Sequence, residues 1–212
     1  MPEALSENLP TVLVGGLNCS VRLYAEQIPA LWQFGPVTVA DHRRDDSITA
    51  IARRILAGAP PRFALAGLSM GGYVALALWA RYPERVRALM LMDTRAAADT
   101  PEAARSREEM ARVVETTGST KHVVDAMIPK LFSEETRSHR PQLIPTVRAG
   151  MERNPPRAVA GALRGMAQRP DRTGLLASIT VPTLVLVGAH DAITPAEDSS
   201  QPHAGARHDG RR

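Results

Sequence analysis

The stretch Gly67-Leu68-Ser69-Met70-Gly71-Gly72 constrains this chain more than any other feature. It follows a short apolar run, Arg62 to Ala66, and leads into Tyr73-Val74-Ala75-Leu76-Ala77-Leu78-Trp79, which reads as a buried helix. A G-x-S-x-G pattern between a strand and a helix is a sharp turn that holds its serine on strained backbone. Gly67 and Gly71 leave room that side chains would otherwise fill. The hydroxyl then projects beyond the carboxyl end of the strand, where open α/β sheets place their sites. A glycine-rich turn without chemistry is the alternative, and the flanking strand and helix argue against it. Ser69 is therefore the candidate nucleophile.

The rest of the chain supplies a sheet for that turn. Thr11 to Val14, Val37 to Ala40, Arg62 to Ala66, Val86 to Met92 and Thr183 to Val187 are short apolar runs bounded by Gly, Pro or Asp, and read as buried parallel strands. Ile48, Ile51, Ala52, Ile55 and Leu56 share one helix face, with Asp46 or Ser47 as N-cap. The fold class expected is α/β, a mostly parallel sheet with helices on both faces. From Thr94 to about Thr180 helical spacing replaces the strand signal. Thr100-Pro101-Glu102 starts a helix, and Leu143, Val147 and Met151, then Val159, Ala162, Leu163 and Met166, form apolar stripes. Prolines 129, 141, 145, 155, 156 and 170 are expected to cut this segment into short helices. The expected division is a first core part at 1–93, a helical cap at 94–180, an acid-bearing core strand at 181–195 and a disordered tail at 196–212.

Two further signals sit at strand ends. Val14-Gly15-Gly16-Leu17-Asn18-Cys19-Ser20 is a glycine turn after the first strand. Acyl transfer needs two preorganised backbone N–H donors for its oxyanion, and Leu17 and Met70 are the donors expected. Val187-Gly188-Ala189-His190-Asp191 brings a carboxylate to the same sheet edge, where it can support a catalytic imidazole. A plain cap before Ala192-Ile193-Thr194-Pro195 is the other reading of Asp191. Asp93 ends its strand similarly and is the fallback acid.

Taken together, Pro10 to Ser20, Ala40-Asp41, Leu65 to Gly72, Met90 to Thr94 and Pro182 to Pro195 resemble the landmarks, in chain order, of the α/β-hydrolase superfamily of esterases, lactonases and relatives. The resemblance implies Ser69 as nucleophile, Asp191 as acid, Leu17 and Met70 as oxyanion donors, and 94–180 as the cap. Gly15 departs from a His-Gly turn carried by many members. The larger departure follows Asp191. A helix, a strand and their connections before a catalytic histidine need roughly 25 residues, more than remain. Ala196 to Arg212 also contains no Val, Ile, Leu, Met, Phe, Trp or Tyr, so disorder is expected there. The last strand, last helix and catalytic histidine are expected to be missing, by frameshift or as a natural variant. An unpaired sheet edge and an uncovered apolar face should then cause poor solubility or association. Among the histidines, His42 reads as a loop residue, His122 and His139 as solvated, and His190 as too close to Asp191 to bridge it to Ser69. His203 and His208 lie in the correct order but in the tail.

Composition excludes several functions. The formal charge is +4, yet only Lys121 and Lys130 are lysines among 26 basic residues, and no basic run is interleaved with aromatics. Nucleic acid is not an expected partner. Cys19 is the only cysteine, so neither an internal disulfide nor a multi-cysteine metal site can form. No cofactor and no metal are expected. With no signal-like start and no long apolar run, a cytoplasmic protein acting on a small ester-like molecule is expected, without membrane attachment. Oligomeric state is not readable. The main expectation is hydrolysis of carboxylic esters, lactones or thioesters through an acyl-enzyme, impaired by the absent imidazole. A non-catalytic binding protein and a cofactor-free perhydrolase or haloperoxidase-like enzyme are the rivals. A dehalogenase would need an aspartate in place of Ser69.

Overall fold

The computed structural model describes residues 8–195. The expected tail at 196–212, with His203 and His208, lies outside the described residues. Apolar runs that cannot stay in water pair edge to edge as β1 (Thr11–Val14), β2 (Val37–Val39), β3 (Phe63–Leu68), β4 (Val86–Met92) and β5 (Thr183–Leu186). All neighbouring pairs are parallel, in the order β2-β1-β3-β4-β5. β3 runs two residues past the expected Ala66, because Gly67 and Leu68 stay in register with Leu91 and Met92 of β4. Parallel pairing demands crossovers, and these are α1 (Ile28–Leu31), α2 (Ile48–Gly58) and α3 (Met70–Trp79), then the long segment between β4 and β5.

Strand alternation sorts the core. Val12, Val14, Leu65, Leu89 and Leu91 pack with α2 and α3, while Leu13 and Ala66 point the other way to Tyr24, Ile28 and Leu31. α2 starts where Ser47 Oγ accepts the Ala50 N–H at 3.2 Å, and it buries Ile48, Ile51, Ala52 and Ile55. α3 is buried along its whole length, as an all-apolar helix must be.

Between β4 and β5 lie α4 (Pro101–Thr117), α5 (Lys121–Leu131), α6 (Glu134–His139), α7 (Leu143–Glu152) and α8 (Pro156–Ala167). Thr100 caps α4, its Oγ1 accepting the Ala103 N–H. α8 buries Val159, Ala162, Leu163 and Met166 and packs against α4. Two of the expected proline breaks do not occur. Pro145 is the third residue of α7, where its missing N–H would lack an intrahelical partner anyway. Pro129 sits inside α5, which ends two residues later, so the interruption costs little helix. Among the described residues no helix is long and apolar enough to cross a membrane.

Candidate active site

In a parallel sheet all strands end on one side, so the segments after β1, β2, β3, β4 and β5 gather at a single edge. Ser69 follows β3 with φ 53° and ψ −114°, a conformation an L-residue adopts only under constraint. The constraint is visible in its neighbours. Ser69 N–H donates to the Met92 carbonyl at 2.8 Å, and its own carbonyl accepts from Gly72 N–H at 2.9 Å and from Thr94 Oγ1 at 2.8 Å. A Cβ on Gly67 would meet Gly71 O at 2.3 Å, and one on Gly71 would meet Val14 O at 2.1 Å. Glycine at both positions is a steric requirement of the turn.

The start of α3 is thereby pressed against the end of β1. A Cβ on Gly16 would lie 3.3 Å from the Ser69 Cβ, which places the glycine turn beside the serine. The turn is closed by Cys19 N–H donating to Gly16 O at 3.2 Å. Neither the Leu17 N–H nor the Met70 N–H donates to any other described residue. Met70 opens α3 directly after Ser69, so its N–H lies at a helix N-terminus, where partial positive charge collects, and Leu17 follows the Gly16 that packs on Ser69. Ser69 Oγ itself makes no hydrogen bond among the described residues.

Asp191 and Asp93 share the far side of this edge. Asp191 Oδ1 accepts the Ile193 and Thr194 N–H groups at 2.7 and 3.0 Å, and Oδ2 accepts Thr194 Oγ1 at 2.7 Å. No helix follows Asp191 among the described residues, so these bonds close a local turn rather than cap a helix, and they fix the carboxylate in place. Asp93, at φ 43°, accepts the Gly188 N–H at 2.8 Å. Its carboxyl and that of Asp191 face one another. Burial pushes the Asp93 carboxyl above the usual carboxylate range and the Asp191 charge pushes it further, against the opposing Gly188 N–H. Burial would raise Asp191 as well, but hydrogen bonds from Thr194, Ile193 and Asp93 outweigh it and hold Asp191 below that range. Of the two carboxyls, Asp191 is the more acidic.

The histidines divide clearly. His122, His139 and His190 are exposed. His42 is buried, not a surface loop residue as expected, and its ring packs on the glycine turn, its Cε1 3.5 Å from where a Gly15 Cβ would be. Ser69 lies against Gly16, and His42 against Gly15. Burial holds the His42 imidazole below its ordinary pKa, with Asp41 opposing. Among the described residues no cluster of three or more His, Cys, Asp or Glu is placed to hold a metal ion. The Asp93 and Asp191 contact, the Thr94 clamp on Ser69 and the burial of His42 were not read from the sequence. Only the adjacency of Asp93 and Thr94 to a strand end hinted at the first two.

With this geometry in place, comparison with known proteins is informative. A family model described as serine aminopeptidase, S33, matches residues 12–211. A pimeloyl-[acyl-carrier protein] methyl ester esterase of Neisseria meningitidis is 30% identical over 92% of this chain and 79% of its own length. The structure of a thermophilic esterase from Thermogutta terrifontis superposes with a TM-score of 0.82 at 36% identity, over 91% of this chain and 76% of that one. An enol-lactonase from Burkholderia xenovorans gives 0.80 at 26% identity, over 97% and 83%.

Proposed function

As a member of the α/β-hydrolase family described as serine aminopeptidase, S33, the chain is an enzyme of the ester-hydrolase class, and we propose that it cleaves small carboxylic esters, lactones or thioesters through an acyl-enzyme on Ser69. The observation that carries this reading is the strained Ser69 turn with the Gly16 turn packed against it, and the Leu17 and Met70 N–H groups, unused by other described residues, support it. Ser69 Oγ attacks the acyl carbon while its proton passes to an imidazole. The oxyanion that forms accepts hydrogen bonds from Leu17 and Met70. Collapse expels the alcohol or thiol with that proton, and water then releases the acid from Ser69. Asp191, held charged by Thr194 and Ile193, orients and stabilises the imidazolium. Residues 94–180 serve as the cap that shapes the acyl pocket. The single thiol, Cys19, is pushed up to about 11 by burial, so it is not a competing nucleophile at neutral pH.

Turnover in this chain is impaired in this reading, because none of the described histidines hydrogen-bonds Ser69 Oγ. A serine hydroxyl without a base is a poor nucleophile at neutral pH, and binding plus an oxyanion hole leave only ~10³ to 10⁴ over water. The same observation favours a second reading, a binding protein that keeps the pocket without turnover.

The test is hydrolysis of a short p-nitrophenyl ester by the chain, by Ser69→Ala and by a His203→Ala/His208→Ala double variant, with mass spectrometry for acyl-Ser69. Slow release that falls at least ~10-fold in Ser69→Ala, with the acyl group found on Ser69, is expected. Equal rates and no acyl group would overturn the enzyme and leave the binder. Fast turnover lost in the double variant would overturn the impairment and place the base within 196–212.

A further inference from the structure

The helical segment touches the glycine turn beside Ser69 through one buried amide. Asn154 stands between α7 and α8 and is 5% exposed, and Asn18 is 4% exposed. Asn154 Nδ2 donates to the Asn18 carbonyl at 2.8 Å, across 136 positions of sequence. The same amide lies 3.3 Å from the Met151 carbonyl, which ties it to the last turn of α7.

Asn18 is the third residue of the Gly16 to Cys19 turn and has φ 60°. Such a turn position accepts asparagine or glycine and few other residues. Its side chain does not hold it there, since Nδ2 and Oδ1 are both buried without a partner. Those atoms are also closed to solvent, so no ligand reaches them in this conformation. The polar tether on Asn18 is therefore its carbonyl, and the group at the other end is Asn154. Leu17, whose N–H faces the oxyanion in the reading above, is the adjacent residue of the same turn.

We propose that Asn154 is a positioning residue for the Leu17 oxyanion donor, so that the 94–180 segment sets the rate of the chemical step and not only the shape of the pocket. The inference rests on the roles given to Ser69 and Leu17. Displacing a preorganised donor by ~1 Å costs up to ~10² in rate, and losing one outright costs ~10² to 10³.

The experiment compares Asn154→Ala with Asn154→Asp, which keeps the shape and removes the donor, using folded protein identified by melting. Ester kinetics and hydrogen exchange at the Cys19 amide are read together. Faster exchange at Cys19 in both variants is expected, with kcat lower by ~10- to 100-fold and KM within ~3-fold. Unchanged exchange and kcat would overturn the proposal, as would faster exchange spread evenly through α7 and α8, which marks general loosening. If the wild-type chain shows no turnover dependent on Ser69, it is the acyl-enzyme reading that fails, and exchange at Cys19 still decides whether Asn154 holds the turn.

Discussion

Two carboxyls brought together at the ends of β4 and β5 differ in acidity, and the consequence is measurable. Asp93 is the member raised by burial and by the Asp191 charge. A carboxyl raised in the folded state binds more protons there than in the unfolded chain. Its contribution to stability is thus present below the ordinary carboxylate range and lost as pH rises through its folded pKa. Asp93→Asn keeps an acceptor for the Gly188 N–H, tolerates the left-handed backbone and removes the charge. The variant is expected to melt above wild type at neutral pH, with the difference shrinking as pH falls to 4. A difference independent of pH would refute the raised position of the Asp93 carboxyl. Neither partner could be paired from sequence, since the two lie 98 positions apart and only the β4 to β5 register unites them. Ser69 was legible because its constraint is local, a steric demand for Gly67 and Gly71 that shows directly as residue type. Asn18 and Asn154 were illegible for the opposite reason. A polar residue in a loop carries no period, and burial supplied by a distant helix leaves no local trace.

At the scale of elements, the join between β4 and α4 depends on a buried ion cluster. Asp99 lies 2.6 Å from Arg107 Nε and 2.8 Å from Arg169 Nη1, with the Asp99 and Arg169 side chains 3% and 2% exposed. Arg169 also stacks 3.9 Å from the Tyr73 ring centroid, linking the end of α8 to α3. Asp99→Ala would leave Arg169 buried without a counter-charge, at a cost of about 3–5 kcal/mol. For a chain of this length that is a fall in Tm of roughly 6–20 °C, read by thermal melting. Burial raises the Asp99 carboxyl, but Arg107 and Arg169 prevail and hold it below the ordinary range. Its stabilisation is therefore complete above the unfolded carboxylate pKa and is lost as pH falls through the lower folded value. Wild type should lose more stability than Asp99→Ala on acidification below about 4. The strands around this join were readable because buried parallel strands are short, apolar and sharply bounded; β1 and β4 fall at the expected residues. The helices of the 94–180 segment were readable as helices from their stripes. Their exact breaks were not, because Pro129 and Pro145 occupy positions near helix ends that tolerate proline.

For the whole molecule, the sheet is unevenly covered. Register places Leu184 beside Met90 and Leu186 beside Met92, on the face where Tyr24, Ile28 and Leu31 cover Leu13 and Ala66. That cover stops short of β5, whose Leu184 and Leu186 are 47% and 45% exposed. β5 is also an edge strand among the described residues. An edge with unpaired backbone groups beside an apolar face is a template for association. Burying each half-exposed leucine against a second copy would gain about 1 kcal/mol, and added backbone pairing would supply direction. We expect light scattering after size exclusion to show an apparent mass that climbs above that of one chain as concentration rises. Leu184→Lys places a charge at the middle of the exposed strip, far enough from Asp93 and Asp191 to leave the site intact, and should return the mass to that of a monomer. A wild-type chain that stays monomeric at high concentration, or a Leu184→Lys variant that associates as strongly, would move the cause of association away from this face.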